Sequence, residues 1–387
     1  MPKTETKKYN IIHIPLIKNI LLLFFAIIVS VSFLEAINFI YERHNQYYYV
    51  WPPGLNRTFL PDEDVFSGIK GPSIFTINKL GYRGPLIENK NKEYRVLAIG
   101  GSTTECLYLD NEESWPFLLM KKLNLTNSGQ KVISMNIGKS GHNSRDHIFE
   151  LKYLTEYYDP DLIIIMVGAN DMLLKLSKRW VWKPFNETSY DLSKTFYYSQ
   201  NFNWKSTLLY KIYKIIYNKF YLKINPQDEV GQTYLESRTE RKNGQTFIEL
   251  PNLDETLADY EKNLHRLVEI SRQKNKTILF LTQPFLWKNE MSEQEDNVLW
   301  MTTDFNGNYY NVESMALSMN LFNNRLLAVC KEYELDKEPN IFCFDLEEEI
   351  PKNLAYFYDD MHFNEGGAEA SAEKISLFIK NNIDNFK

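Results

Sequence analysis

The sequence predicts an α/β protein with a doubly wound parallel sheet, on the basis of three observations. Short apolar runs alternate with helical patterns from Tyr94 to Asn381, the order that places helices on both faces of a parallel sheet. Residues 161–167 read Asp-Leu-Ile-Ile-Ile-Met-Val, which is apolar on both faces, as a central parallel strand must be. Two glycines and a serine follow the first apolar run, so the chain turns sharply at the carboxyl end of that strand.

Five strands and five helices are expected in this region, each from its apolar periodicity. The strands are Tyr94–Ile99, Val132–Ile137, Asp161–Val167, Thr277–Thr282 and Asn340–Phe344. The helices are Trp115–Leu123, Asp146–Tyr157, Asp254–Lys274, Val312–Tyr333 and Glu365 to about Asn381.

The alternation of strand and helix patterns fails between Leu176 and Leu250. A segment of this length requires its own structure, so we expect an insertion at about 176–250. Within it, Leu208–Tyr217 has helical spacing among several lysines. We expect an amphipathic helix packed on the domain; the alternatives are a helix over the mouth of a site or one on a membrane surface. Gln227–Asn243 is polar and charged, and we expect a mobile loop there.

The amino terminus carries a candidate membrane span. Residues 20–34 have no charge, and the apolar pattern continues past Glu35 to Ile40, which is long enough to cross a bilayer. Lysines precede this segment, so residues 1–19 are expected to form a cytoplasmic tail and residues 20–40 a transmembrane anchor. The alternative is a cleaved signal peptide, with Ser30-Val31-Ser32 as the cleavage site. Both alternatives place nearly the whole chain outside the cytoplasm, in the periplasm or the extracellular space.

Residues 41–93 are expected to form an extracytoplasmic extension that leads into the main domain at residue 94. The stretch from Trp51 to Glu93 is rich in Pro, Gly and Asn, which predicts irregular structure with one or two short strands. Arg83 in this extension is expected to be an exposed charge, with a substrate contact as the alternative.

Composition excludes some classes of function. The formal net charge of −6 leaves no basic excess for nucleic acid. The three cysteines form neither a metal-ligand cluster nor a disulfide framework; Cys330 and Cys343 either pair or remain reduced. Neither a nucleotide fingerprint nor a set of metal ligands at useful spacing is evident, so no metal or cofactor is expected.

Polar residues occur at four positions in the predicted topology, three after strands and one before the last helix. Ser102 follows the first strand, residues 136–143 the second, and residues 168–171 the third, while residues 358–365 precede the last helix. A parallel sheet gathers the carboxyl ends of its strands along one edge. On its own stretch, Ser102 is better explained as the cap of a helix than as a nucleophile. Together, however, the polar residues at these four positions supply a hydroxyl nucleophile, an imidazole, a carboxylate and oxyanion donors, which is what acyl transfer needs.

These residues resemble the blocks of the SGNH (GDSL-like) hydrolase superfamily over roughly Tyr94 to Asn381. Gly-Gly-Ser-Thr-Thr at 100–104 is similar to block I, as in exported, membrane-anchored members, with Gly101 in place of the usual aspartate. Gly141 matches the glycine of block II, and Asn170 the asparagine of block III. Asp359 and His362, three positions apart, match block V. The resemblance implies a flavodoxin-like, three-layer α/β/α fold with a five-stranded sheet, spanning residues 94–387.

The resemblance also implies roles for these residues. Ser102 would be the nucleophile, His362 the base, and Asp359 the carboxylate that orients the imidazole. The oxyanion would be bound by the backbone N–H groups of Ser102 and Gly141 and by the Asn170 amide.

Several neighbours of the site have weaker claims to a function. His142 is a candidate substrate contact, and a histidine of a surface loop is the alternative. Asp360 is expected to be solvated or a cap, and Cys106 to be packed rather than reactive. The stretch Trp287–Tyr310 contains Trp300 and other aromatic residues and is a candidate wall of the pocket.

The leading hypothesis is a membrane-anchored, extracytoplasmic serine esterase that removes O-acyl groups, in particular O-acetyl groups, from a cell-surface glycan. One alternative is a lipid esterase or an O-acyltransferase with the same triad. Another is a catalytically silent envelope-assembly or glycan-binding protein.

Overall fold

The computed structural model describes residues 14–44, 48–125, 129–177, 182–197, 207–210, 212–213, 216, 228–247, 249–301, 308–336 and 338–383. The chain divides into two compact units, and we describe each by itself. One contains residues 1–47 and 199–224, and the other contains residues 48–198 and 225–387.

The larger unit is built on a five-stranded parallel sheet. In chain order its strands are β3 (Glu93–Gly100), β4 (Lys131–Asn136), β5 (Leu162–Met166), β8 (Thr277–Leu281) and β10 (Ile341–Phe344). Their order across the sheet is β10-β8-β5-β3-β4, with every pair parallel. Numbered within this sheet, the order is 2-1-3-4-5, the flavodoxin-like arrangement of doubly wound proteins.

Two layers of helices cover the sheet. One layer pairs α3 (Trp115–Asn124) with α11 (Glu365–Asn382). In the other layer, α7 (Asp254–Gln273) packs against both α4 (Ser144–Tyr158) and α9 (Val312–Leu335). The central strand β5 is buried at every position, as a strand between two helix layers must be. The predicted fold class is confirmed, and the five expected strands and helices are present.

The remaining short elements are β1 (Asn56–Pro61), β2 (Ser73–Thr76), β6 (Asp228–Val230), β7 (Thr246–Phe247) and β9 (Tyr309–Tyr310), with helices α2 (Ser102–Glu105), α5 (Ala169–Leu176), α6 (Gln232–Asn243), α8 (Glu293–Asn297) and α10 (Leu346–Glu349). The extension supplies two short strands, as expected, and β6 joins them in a second sheet of order β2-β1-β6.

The expectation of a mobile loop over Gln227–Asn243 is wrong. Residues 228–230 pair in parallel with β1, and residues 232–243 form helix α6. The helix is polar because most of it faces solvent. Its half-buried Tyr234, Arg238 and Arg241 contact the domain. None of its residues is fully buried, so these contacts create no apolar period.

The smaller unit contains helix α1 (Ile14–His44). Its segment Lys18–Ile40 is long and apolar enough to cross a membrane, and none of that segment is buried within the protein. In the same unit, both Glu35 carboxylate oxygens accept backbone N–H groups, one from Leu208 at 2.8 Å and one from Leu209 at 2.9 Å. The helix expected over Leu208–Tyr217 lies partly outside the described residues and is helical at 208–210, 212–213 and 216.

A disulfide joins Cys330 on α9 to Cys343 on β10, which settles the alternative that the sequence left open for this pair. Cys106 is free and buried. Its Sγ faces the carbonyl oxygen of Thr103 at 3.3 Å, and burial raises the pKa of its thiol to about 11. The expectation that Cys106 is packed rather than reactive is confirmed.

Candidate active site

Ser102 occupies the first position of α2, directly after β3 and its two glycines. A Cβ atom on Gly101 would lie 2.4 Å from the amide nitrogen of Asn170, which is closer than any side chain tolerates. Glycine at 101 therefore allows the Asn170 side chain to lie directly against the backbone before Ser102. This contact brings together the carboxyl ends of the neighbouring strands β3 and β5.

His362 lies between Ser102 and Asp359. Its Nε2 is 2.7 Å from Ser102 Oγ, and its Nδ1 is 2.8 Å from Asp359 Oδ2 and 3.0 Å from Oδ1. The imidazole is 8% exposed and Asp359 is 0% exposed. The structure thus brings these three predicted site residues into one continuous chain of hydrogen bonds.

The loop that carries Asp359 and His362 folds back on itself. Asp359 Oδ1 accepts the backbone N–H groups of Met361 at 3.0 Å and of His362 at 2.8 Å. This local capture of N–H groups by an aspartate is a common turn motif. This turn places the carboxylate of Asp359 against the imidazole of His362, three positions later in the sequence. The indole Nε1 of Trp300 donates to Asp359 Oδ2 at 2.9 Å from outside the loop.

The electrostatics of this loop favour a charged pair. Burial alone would lower the pKa of His362, but the carboxylates of Asp359, Asp360 and Glu105 outweigh it and leave that pKa raised. Burial alone would raise the pKa of Asp359, but His362 and the Trp300 indole outweigh it and leave that pKa lowered. Asp359 therefore stays ionised and stabilises a proton on the imidazole.

The segments that follow β3, β4 and β5 carry the three donors that the sequence predicts for the oxyanion. The Asn170 amide donates one hydrogen to the carbonyl oxygen of His142 at 2.7 Å, which leaves its second hydrogen for another acceptor. Gly141 has φ of +82° and nothing within 4 Å of the position of a Cβ atom. Within the described part of the chain, the backbone N–H groups of Ser102 and Gly141 have no hydrogen-bond partner.

The expectation that Asp360 is solvated or a cap is wrong. Asp360 is 0% exposed and accepts the Trp287 indole N–H at 3.0 Å, the backbone N–H of Trp300 at 2.8 Å and that of Met301 at 3.1 Å. Burial and the neighbouring charge of Asp359 raise its pKa. Asp360 thus fixes the segment that presents the Trp300 indole to Asp359.

His142 is not a histidine of a surface loop. It is 5% exposed, and its Nδ1 lies 2.7 Å from Glu150 Oε1. Its Nε2 is buried and has no hydrogen-bond partner among the residues that the structure describes.

Arg83, expected to be exposed, is 3% exposed and supports the segment after Ser102. Its guanidinium donates to three backbone carbonyl oxygens, those of Glu105 at 2.7 Å, Cys106 at 2.8 Å and Leu109 at 2.5 Å. Its Nε donates to Asn111 Oδ1 at 2.7 Å. Burial lowers the pKa of Arg83 to about 10, so it remains charged at neutral pH.

Sequence reasoning missed Tyr234 and Arg238 of the insertion. The Tyr234 ring lies 5.2 Å from the Trp300 ring, and Tyr358 stacks on His362 with ring centroids 5.6 Å apart. Arg238 donates to the carbonyl oxygens of Val298 and Tyr358, both at 3.1 Å. Trp300, a residue of the expected aromatic wall, instead holds Asp359 through its indole.

One group of side chains in the described residues has the donor types of a metal site. The ligand atoms of Glu261, His265 and Glu332 lie within 4.8 Å of one another. However, Glu261 pairs with Arg325, and His265 Nδ1 is 2.7 Å from the Tyr333 hydroxyl. These existing partners compete with a cation, and the group lies on the outer helices α7 and α9, not among the residues around Ser102.

The serine, histidine and aspartate form a chain of hydrogen bonds at the carboxyl edge of a doubly wound sheet. This fold and this site together define a class of protein, the serine ester hydrolases. Residues 98–370 match the model of the GDSL-like lipase/acylhydrolase family. The chain belongs to that family.

Known proteins show more limited likenesses. An arylesterase of Vibrio mimicus is 34% identical over 79 residues, which cover 20% of this chain and 38% of that protein. The chain thus matches well under half of the arylesterase's length. Axe2, an acetylxylan esterase from Geobacillus stearothermophilus, is similar at 15% identity and a TM-score of 0.39 over 74% of this chain and 96% of that one. LAE5, an α/β hydrolase enzyme from the metagenome of Lake Arreo, is similar at 14% identity and a TM-score of 0.39 over 74% and 95%.

Proposed function

We propose that this protein is a membrane-anchored, extracytoplasmic esterase that removes O-acyl groups, in particular O-acetyl groups, from a cell-surface glycan. The observation that carries the catalytic part is the chain of contacts from Ser102 Oγ through His362 to Asp359, at 2.7 and 2.8 Å.

Ser102 is the proposed nucleophile and His362 the proposed base. His362 Nε2 takes the proton of the Ser102 hydroxyl as Oγ attacks the ester carbonyl, and then gives it to the leaving alcohol. Asp359 holds the Nδ1 proton and stabilises the imidazolium while the tetrahedral intermediate exists. Water then attacks the acyl-enzyme by the same proton transfers in reverse order, which releases the carboxylic acid and restores Ser102.

The proposed oxyanion hole uses the backbone N–H groups of Ser102 and Gly141 and the second hydrogen of the Asn170 amide. All three donors are fixed before substrate arrives, so little reorganisation is required as negative charge develops. Removal of one such donor typically lowers kcat by about 10²–10³.

The proposed location rests on the amino-terminal helix and on the disulfide, and the proposed substrate class follows from that location. The apolar helix with lysines before it supports an anchor with a cytoplasmic amino terminus. The Cys330–Cys343 disulfide supports an oxidising compartment for the larger unit. An anchored esterase that faces outward meets the acylated glycans of the cell surface, and this is the basis for the proposed substrate class.

The substrate proposal is tested with the detergent-solubilised full chain and its Ser102→Ala variant. The assay offers short-chain and long-chain aryl esters and an acetylated glycan, and it measures released acid. We expect Ser102-dependent release of acetate from the glycan and the short ester, with little turnover of the long ester. Preference for the long ester would indicate a lipid esterase, and transfer of acetate to an added sugar would indicate a transferase. No turnover and no labelling of Ser102 by a fluorophosphonate would contradict the enzymatic proposal.

Asp359 and Asp360 form a matched pair of variants. We expect Asp359→Asn to lower kcat by about 10²–10⁴ because the imidazole loses control of its tautomer. The Asp359 carboxylate raises the pKa of His362, and His362 must be neutral to act as a base. The acidic limb of kcat/KM should therefore move to lower pH in this variant.

Asp360→Asn should mainly reduce stability, because an amide nitrogen then faces one of the three N–H donors. We expect the free energy of unfolding to fall by about 1–3 kcal/mol, with a smaller loss of kcat than for Asp359→Asn. The measurements are pH–rate profiles on one aryl ester and denaturant unfolding of both variants. A larger loss of kcat in a fully folded Asp360→Asn variant would exclude the proposed triad.

The proposed topology is tested on membranes that contain the native chain. We expect an amino terminus at Met1 or Pro2, resistance to extraction by alkali, and digestion of the larger unit by protease added to the outer face of the membrane that holds the anchor, in spheroplasts where an outer membrane encloses the cell. A mature amino terminus near Phe33 would indicate a cleaved signal peptide.

A further inference from the structure

A buried cluster of two histidines and a glutamate lies beside the candidate oxyanion hole. Glu150 on α4 is 0% exposed. Its Oε1 lies 2.7 Å from His142 Nδ1, and its Oε2 lies 2.7 Å from His147 Nδ1. A carboxylate accepts hydrogen bonds only, so each Nδ1 carries a proton. One carboxylate thus joins the loop before α4 to the helix itself.

The surroundings of Glu150 favour its ionised form. Burial alone would raise the pKa of Glu150, but the two imidazoles outweigh it and lower that pKa to about 2. Burial alone would lower the pKa of His147, but Glu150, Asp146 and Asp171 outweigh it and raise that pKa. Glu150 is therefore ionised, and a buried carboxylate is costly unless its partners stay in place.

His142 connects this cluster to the site through its backbone. Its carbonyl oxygen accepts the Asn170 amide at 2.7 Å, and its N–H donates to the Lys139 carbonyl at 3.1 Å. Gly141, the preceding residue, has φ of +82° and no neighbour that a side chain would meet. The His142 imidazole thus joins this open turn to the middle of α4, in addition to Asn143, which caps the start of the helix.

We propose that Glu150 is a positioning residue for ester hydrolysis: through His142 it fixes the carbonyl that aims the Asn170 amide at the oxyanion. This inference rests on the proposed function, because it assigns Glu150 a role through a donor of that mechanism. Glu150 does not reach the substrate; it determines where Asn170 points. The His142 carbonyl already accepts the first hydrogen of the Asn170 amide, so a shift of that carbonyl redirects the second hydrogen.

The test is a double-mutant cycle between Glu150→Gln and Asn170→Ala in the full chain, with an aryl ester as substrate. A glutamine can accept from one imidazole only, and its amide nitrogen opposes the other. We expect Glu150→Gln to lower kcat by about 10–100-fold with little change in KM, since a small misplacement of a donor costs this much. In the Asn170→Ala background the same change should cost less than about threefold. An equal loss in both backgrounds, or no loss in the wild-type background, would overturn the proposal.

A second pair of variants applies if Glu150→Gln does not fold. His142→Asn retains a side-chain N–H near the Nδ1 position, whereas His142→Leu removes it at similar volume. We expect kcat within about fivefold of wild type for the asparagine variant and a loss of about 10–100-fold for the leucine variant. Equal activity of the two would contradict the proposal.

Glu93→Gln serves as the matched control. Glu93 is also buried and paired with a cation, Arg95 at 3.3 Å, but it lies at the opposite, amino end of β3. Its loss should reduce stability and leave kcat unchanged.

Exchange of the backbone amide hydrogens of residues 137–143 is a measurement that does not depend on turnover. We expect faster exchange there in Glu150→Gln than in wild type or Glu93→Gln. Unchanged exchange would refute the positioning role, whereas a wild-type chain without Ser102-dependent hydrolysis would refute the proposed function instead.

Discussion

The contact between the buried Asp359 carboxylate and His362 Nδ1 is the interaction on which the candidate site depends. Asp359 accepts two backbone N–H groups from its own loop, the imidazole N–H, and the Trp300 indole N–H. Three of these four donors lie within residues 359–362, so the orientation of the imidazole toward Ser102 is largely a property of one short loop. The fourth donor ties that loop to residue 300, and Asp360 in turn holds the backbone at 300 and 301.

Other buried carboxylates hold the remaining loops at this edge of the sheet. Glu105 accepts the backbone N–H of Ser140 at 2.8 Å, Asp171 that of Ser144 at 3.1 Å, and Glu150 the two imidazoles. Glu105 and Asp171 each join a short helix after one strand to the loop after another, and Glu150 joins α4 to the loop before it. A buried charge contributes little net stability even when paired, but it has few alternative arrangements. We infer that the buried carboxylates at this edge of the sheet hold the hydrogen-bond donors in fixed positions, at a cost in stability.

The sequence was sufficient for the elements that local patterns determine. The strands and helices of the main sheet follow from apolar periodicity, whereas the flavodoxin-like arrangement of the strands was implied by the resemblance to the SGNH superfamily. The spacing of three between Asp359 and His362 could also be interpreted, because the turn that joins them is local.

The misjudged residues are those whose partners are remote in the sequence. Arg83 has its acceptors 22 to 28 positions away, and Asp360 has its donors 59 to 73 positions away. A lone charged residue is exposed by default, and no local pattern indicates that distant backbone groups enclose it. Helix α6 was missed for the related reason that Tyr234, Arg238 and Arg241 attach it to remote parts of the domain, and these side chains create no apolar period.

The central claim is that Ser102, Gly141 and Asn170 receive the oxyanion while His362 and Asp359 handle the proton. A crystal structure of the protein after reaction with a small fluorophosphonate tests this claim most directly, since the phosphonyl oxygen occupies the place of the oxyanion. We expect an adduct on Ser102 Oγ whose phosphonyl oxygen lies about 2.7–3.1 Å from the two backbone nitrogens and the Asn170 amide nitrogen. An adduct on another residue, or a phosphonyl oxygen turned away from Gly141 and Asn170, would contradict it.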